Sequence, residues 1–289
     1  MAHAFALPPQ PENLPPLRIG SAAHKEAFCH MLLDTFDAYK PAVIAWPHLE
    51  GDALTRITSL PFWDVAVQTE GYASARVQRL ADTLSDPVLK EAVALNAFEE
   101  ARHKHVLEHM IRAYGIQLKK EPEYKADKDP EWAFLRTGYG ECFDSFFAFG
   151  LFEIAKRSGF FPMQLVDVFE PVIREEGRHI LFFVNWVAWT EANKPSFLHK
   201  LVFRARCLAA LIMNAFGRLS VAGDASAGDN FVAAGGSNLA ASFDIREFIE
   251  LCLSENERRM SPFDARLLRP QMVPSLVRFA LRFIPKKGA

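Results

Sequence analysis

The feature that most constrains this chain is a five-residue pattern that occurs twice. Glu99-Glu100-Ala101-Arg102-His103 recurs as Glu175-Glu176-Gly177-Arg178-His179, each time late in a helical segment that opens with a proline. A single Glu-x-x-His is weak evidence, since composition alone supplies it on the order of once in a chain of this kind. Two copies in one Glu-Glu-x-Arg-His order are much stronger. Residues three apart share a helix face, so each copy aims a carboxylate and an imidazole at one point.

Both copies interrupt otherwise apolar stripes. The first runs Leu89, Val93, Asn96, Glu100, His103, Leu107, and the second Leu165, Phe169, Val172, Glu176, His179, Phe183. An unpaired carboxylate on such a face costs several kcal/mol and tends to stay protonated, and a bound cation relieves that cost. A buried polar network without metal is the bland alternative, and two matched pairs weigh against it. A site for two metals also needs a carboxylate from each of two further helices. Glu70 comes level with Glu100 when the chain is folded back at Ser85. For the remaining helix, Glu153 lies in the apolar run Phe146 to Ala155 and comes level with Glu176 if the last helix begins at Pro171. If it begins at Pro162 instead, the same counting selects Asp144, with Glu141 one turn away. Glu153 is favoured for its apolar setting. Mixed oxygen and nitrogen donors suit iron or manganese better than zinc. Arg102 and Arg178 either orient the carboxylates or face solvent, while His105 and His109 point away from the stripe and read as surface histidines.

A Glu, then Glu-x-x-His, then a Glu, then Glu-x-x-His resembles the ferritin-like di-iron carboxylate superfamily, over about residues 61 to 191. The resemblance implies an all-α, ferritin-like four-helix bundle with additional N- and C-terminal helices. It implies metal ligation by Glu70, Glu100, His103, Glu153, Glu176 and His179 to two Fe ions, with Mn or a mixed Fe/Mn pair as variants. The short spacing from Glu153 to Glu176 departs from the roughly thirty residues usual in such bundles and keeps Asp144 in play. The implied activity is that of an oxidase or oxygenase using O2 on an apolar small molecule. Electrons then come from an external donor, because the sequence has no flavin or nicotinamide fingerprint and no cysteine cluster. An iron-oxidising, iron-handling protein is the alternative, and the Phe content around the ligands together with about a hundred residues after Glu191 favours the oxidase. A homodimer is common for such bundles.

The rest of the chain fits this organisation. Half of its 289 residues are hydrophobic, enough for one domain with a sizeable core. The expected division is a 1–60 extension, a 61–191 metal-binding bundle and a 192–289 helical extension. Helices are expected over Ala22 to Tyr39, Pro61 to Leu84, Pro87 to Tyr114, Glu141 to Arg157, Pro162 or Pro171 to Glu191, Phe197 to Leu219, and Asp244 to Arg259. A charged crossover from Lys119 to Pro130 and a Gly/Ala/Ser-rich loop at 222–242 separate them. The 33 Lys and Arg nearly balance the 35 Asp and Glu, which argues against a nucleic-acid partner. Cys29, Cys142, Cys207 and Cys252 are widely spaced and read as reduced packing residues. With no secretory signal and no apolar run long enough to span a bilayer, a cytoplasmic location is expected. The basic amphipathic tail from Val273 to Lys287 is expected to pack on protein rather than on a membrane surface.

Overall fold

The computed structural model describes residues 14–125, 127–222 and 244–285, with side chains described to 218 in the second stretch. Among the described residues ten α-helices carry the architecture and no strand occurs. They are α1 (Ala22–Leu33), α2 (Gly51–Thr58), α3 (Trp63–Ala81), α4 (Pro87–Ala113), α5 (Pro130–Ser158), α6 (Met163–Val168), α7 (Glu170–Ala192), α8 (Phe197–Ala222), α9 (Ile245–Met260) and α10 (Met272–Ala280).

Helices α3, α4, α5 and α7 form the bundle. The α3–α4 turn is set by Asp86, whose side chain accepts from Leu89 N at 3.0 Å ahead of Pro87 at the first helical position. Gly115, at φ +66°, supplies the left-handed step just beyond the far end of α4. Asp129 caps α5 in the same way, accepting from Trp132 N at 2.9 Å ahead of Pro130. That cap starts α5 eleven residues before the Glu141 expected from the sequence, where Gly138 and Gly140 dilute the helical signal. Gly138 is needed for packing, because a Cβ there would run into the Phe183 ring of α7.

The two prolines near the last bundle helix both have a role. Met163–Val168 follows Pro162 as a separate short helix, and after a break at Phe169 the chain continues as α7 with Pro171 in its first turn. Helix α1 stops at Leu33 rather than Tyr39 and packs across α4 and α7, closing the side on which the two repeated motifs turn their outer residues. Helices α8 and α9 cover α5. Phe28, Phe182 and Phe183 are buried in the main core, while Ile57, Trp63, Met110 and Leu165 belong to a second apolar cluster at the end of the bundle where α3 begins. Helix α9 matches its expected span within a residue, and α10 ends at Ala280, short of the expected Lys287. Most of the loop expected at 222–242 lies outside the described residues, as do Lys286 and Lys287. No helix among the described residues is long and apolar enough to cross a membrane.

Candidate metal centre

Helices α4 and α7 face each other across the bundle axis and each presents its Glu-x-x-His inward. Donor atoms of Glu100, His103, Glu176 and His179 all lie within 4.8 Å of one another. His179 Nδ1 is 2.8 Å from Glu100 Oε1, and His103 Nδ1 is 3.1 Å from Glu176 Oε1. Glu70 on α3 reaches the group with Oε2 at 3.7 Å from His103 Nδ1. Glu141 on α5 completes the surround, close enough to Glu100, Glu176, His179 and Glu70 to sense their charges.

The imidazole orientations follow from a set of outer carboxylates. His103 Nε2 is 2.9 Å from Glu175 Oε2, and His179 Nε2 is 2.8 Å from Glu99 Oε2. Each carboxylate is held in turn by the arginine beside the histidine it serves. Arg102 donates to Glu175 at 2.6 Å and Arg178 to Glu99 at 2.9 Å. With Nε2–H donated to a carboxylate, a neutral ring at either position would turn its Nδ1 lone pair toward the centre, the tautomer a metal ligand requires. Both arginines are buried and anchored to the segment outside the ring, Arg178 on the Leu32 carbonyl and Arg102 on that of Asp37, each at 2.6 Å. Tyr39 adds a donor to Glu175 at 3.2 Å and lies over the Arg102 guanidinium.

Several of these buried atoms lack hydrogen-bond partners. His103 Nδ1, His179 Nδ1, Glu100 Oε1 and Glu141 Oε1 are all buried and unsatisfied. His179 Nδ1 and Glu100 Oε1 are close but not aligned as donor and acceptor. Orphaned polar atoms of this kind cost roughly 1–3 kcal/mol each, more when charged, so their convergence fits a bound cation as their common partner. The titration behaviour has the same origin. Burial raises the Glu70 carboxyl to about 8, only partly offset by His103. Burial and the neighbouring carboxylates push Glu141 well above the usual range. Burial also opposes the charge on Glu99, but His179 and Arg178 outweigh it and hold that carboxyl at about 2.

The structure thus brings together Glu70, Glu100, His103, Glu176 and His179, and leaves Glu153 outside. Glu153 pairs with Arg157 one turn along α5 at 2.6 Å and stands apart from the cluster. Twelve residues separate Glu141 from Glu153, a rotation of about 120°, which turns Glu153 onto another face of α5. Ser145, Ala148 and Phe152 instead continue the Glu141 face, and Ser145 hydrogen-bonds Glu176 at 3.2 Å. That contact fixes the α5–α7 register as though the last leg began at Pro162. The counting that selected Asp144 therefore gives the right level, but Asp144 turns to Arg218 of α8 and Glu141, one turn away, faces the carboxylates. His105 is exposed, and neither it nor His109 joins the cluster. Glu99, Glu175 and Tyr39 were not marked by the spacing. The signal that could have found the two glutamates was the repetition of the first Glu of each motif.

A cavity of about 770 Å³ runs beside the cluster between α3, α5 and α7, and Glu70, Glu100, His103, Glu141 and Glu176 form part of its wall. Glu70 and Glu176 keep 20% and 15% side-chain exposure because they face it. The remaining wall is mostly apolar, with Phe62, Trp63, Leu107, Phe152 and Phe169 among its residues. Phe182 and Phe183, just beyond His179, are packed in the main core and take no part in this wall.

No family model and no curated protein matches the sequence. Solved structures do match the fold. A variant of an R2-like ligand-binding oxidase with an aerobically reconstituted Mn/Fe cofactor aligns at a TM-score of 0.50 and 13% identity, covering 83% of this chain and 93% of that one. An R2-like ligand-binding oxidase with an aerobically reconstituted metal cofactor after photoconversion aligns at 0.50 and 14% identity, covering 82% and 93%. A variant with an aerobically reconstituted Fe/Fe cofactor also gives 0.50 and 14%, covering 83% and 93%. The chain has an all-α, ferritin-like bundle fold similar to that of these oxidases.

Proposed function

We propose that this protein is a two-metal oxidase or oxygenase that uses O2 to oxidise an apolar small molecule. The observation that carries the proposal is the convergence of unsatisfied, buried carboxylate and imidazole atoms on one wall of a largely apolar cavity. Glu70, Glu100, His103, Glu141, Glu176 and His179 are the proposed ligands, with Glu141 in the place expected for Glu153. Four carboxylates and two neutral imidazoles balance two divalent ions, and this donor set suits iron, manganese or one of each. The Fe/Fe and Mn/Fe cofactors of the structural neighbours support that choice.

Two such ions, when bound, supply Lewis acidity and one-electron redox chemistry toward dioxygen. The chain's own residues do the rest. Glu99 and Glu175 accept Nε2–H from the histidines and fix their tautomers, while Arg178 and Arg102 hold those carboxylates in place. Helix α1 excludes water from the outer side of the repeats. The apolar wall shapes the space for substrate, and its volume lies within the range of about 300–1,000 Å³ common for small-molecule sites. That space favours an organic substrate over iron handling alone. Electrons come from an external donor protein in this reading.

The test is anaerobic reconstitution with ferrous iron, a metal count per chain, and stopped-flow absorbance after mixing with O2. Two irons per chain and a transient visible band are expected. Protein that retains no metal after desalting overturns the proposal, and two irons with no oxygen-dependent signal would restrict it to metal binding.

A further inference from the structure

The far limb of the cavity is not apolar. Past the ligand cluster, toward the start of α5, its wall includes Arg76 of α3, Arg136 and Thr137 of α5, and Asn214 and Arg218 of α8. Two of the three arginines have their own carboxylates. Arg76 pairs with Asp127 at 3.1 Å and stacks on Tyr72, and Arg218 is forked onto Asp144 and anchored on the Gly140 carbonyl. Among the described residues Arg136 has no such partner for its side chain; its backbone carbonyl accepts from Asn214. Beside it, Thr137 Oγ1 is buried without a hydrogen-bond partner.

Charge accounting across the cavity singles out the same residue. Glu99 with Arg178 and Glu175 with Arg102 are balanced pairs. The four inward carboxylates are balanced by two divalent ions in the proposed holoprotein. Asp127 and Asp144 balance Arg76 and Arg218. Among the described residues, the remaining charge on the cavity wall is a single guanidinium, with an unsatisfied hydroxyl next to it. A half-buried cation without a counter-charge binds an anion more favourably than a neutral or cationic group.

We infer that Arg136 and Thr137 form a subsite for the anionic end of an elongated apolar substrate, whose body runs past the ligand cluster into the apolar limb. The inference names a substrate class for the proposed oxidase and rests on that reading. Arg136 and Thr137 precede Glu141 by about one helical turn, so the anionic end lies about 6–8 Å along α5 from the cluster. Ala148, Phe152 and Ala155 extend the same cavity wall up to fourteen residues beyond Glu141, about 21 Å along the helix. The part of the substrate facing the cluster is thus a carbon several bonds from the anionic end, not the end itself.

The experiment is calorimetric titration of the full-length protein, both iron-loaded and chelator-stripped, with decanoate, decanol and decylammonium. Iron-loaded wild type is expected to bind decanoate roughly tenfold or more tightly than decanol, with decylammonium weakest. In Arg136→Gln the gap between decanoate and decanol closes, while decanol affinity and metal content stay unchanged. Thr137→Val serves as a milder second variant and lowers decanoate affinity about threefold without altering decanol binding. Equal affinity of wild type for decanoate and decanol overturns the subsite, as does a preference that survives in Arg136→Gln. In the stripped protein, whose inward carboxylates lack the iron ions, the preference narrows but Arg136→Gln still lowers decanoate affinity; no effect of Arg136→Gln in that form overturns the subsite as well, since the anion would then sit on the metals. A decanoate preference that Arg136→Gln removes, without oxygen consumption, leaves the subsite standing and removes the oxidase reading alone.

Discussion

Glu99 opens the first repeat but serves the second, with Oε2 at 2.8 Å from His179 Nε2 and Oε1 accepting from Arg178 at 2.9 Å. Glu175 returns the relationship to His103 and Arg102 at 2.9 and 2.6 Å. Ligation alone would need only Glu-x-x-His on each helix. The cross-brace explains why the first Glu and the Arg recur as well, since each repeat is orientated by the other.

Glu99→Gln keeps the size of the side chain but removes its charge, leaving the buried Arg178 guanidinium without a counter-ion. Metal affinity is expected to fall about 10–100-fold, because the amide offers one acceptor oxygen where His179 and Arg178 need two, and its NH2 faces a donor. The metal-free protein is expected to lose on the order of 3 kcal/mol in a denaturant melt. Glu175→Gln is expected to match it within a factor of a few in a chelator competition. Unchanged affinity in both variants would remove any role for the cross-brace in holding metal.

The two α5 candidates separate cleanly in a metal count. Glu141→Ala deletes a carboxylate that faces the cluster and should reduce the iron bound per chain from two toward one or none. Glu153→Ala only breaks an ion pair with Arg157 at the surface, so both irons should remain and stability should change by less than about 1 kcal/mol. The reverse pattern would return the ligand role to Glu153.

How much of this could be read from the sequence depends on which interactions are local. Asp86-Pro87 and Gly115 mark the limits of α4 to within a residue or two because caps are local chemistry. Glu100, His103, Glu176 and His179 come together because three-residue spacing fixes a helix face regardless of what packs around it. The third-helix carboxylate was misjudged for a different reason. The level of α5 against α7 depends on how Met163–Val168 and the break at Phe169 use up chain, which local pattern does not encode. An apolar neighbourhood in the sequence also failed to place Glu153 at the cluster, since Phe149, Phe152 and Ile154 are buried around a glutamate that keeps 17% exposure and turns to Arg157. Glu99 and Glu175 were hidden because their partners lie more than seventy residues away.

The Lys25–Asp86 pair offers a pH test remote from the metal centre. A hydrogen bond from the Lys25 ammonium, reinforced by Leu89 N–H, holds the Asp86 carboxyl below its ordinary value. A carboxylate with a depressed folded-state pKa contributes stability that is present above its unfolded pKa of about 3.9 and lost as pH falls through the folded value. Asp86→Asn keeps the cap acceptor but not the charge. Its deficit relative to wild type should be modest, under about 1 kcal/mol for a pair this exposed, constant from neutral pH down to about 5, and should close below about 4. Parallel urea melts of the two metal-free proteins check this. A deficit that persists at the lowest pH would assign it to capping geometry rather than charge.

Ala148 lies on the cavity-facing side of α5, two turns beyond Glu141 and toward the apolar limb. Ala148→Phe would place an aromatic ring in space that wild type leaves for a ligand. Because the ring enters a void rather than a packed core, the usual overpacking penalty does not apply, and added dispersion contacts are expected to leave stability unchanged or raise it by about 1 kcal/mol. The iron count should stay at two, since neither the ligands nor the residues that orient them are touched. Decanol and decanoate binding should both weaken at least tenfold, because the ring blocks the limb that receives the apolar body rather than the end that receives the charge. Weakened binding of both with metal retained assigns the limb to substrate. Full binding in this variant would mean that ligands reach the cluster without entering the apolar limb, and the substrate would then be short and confined to the polar end.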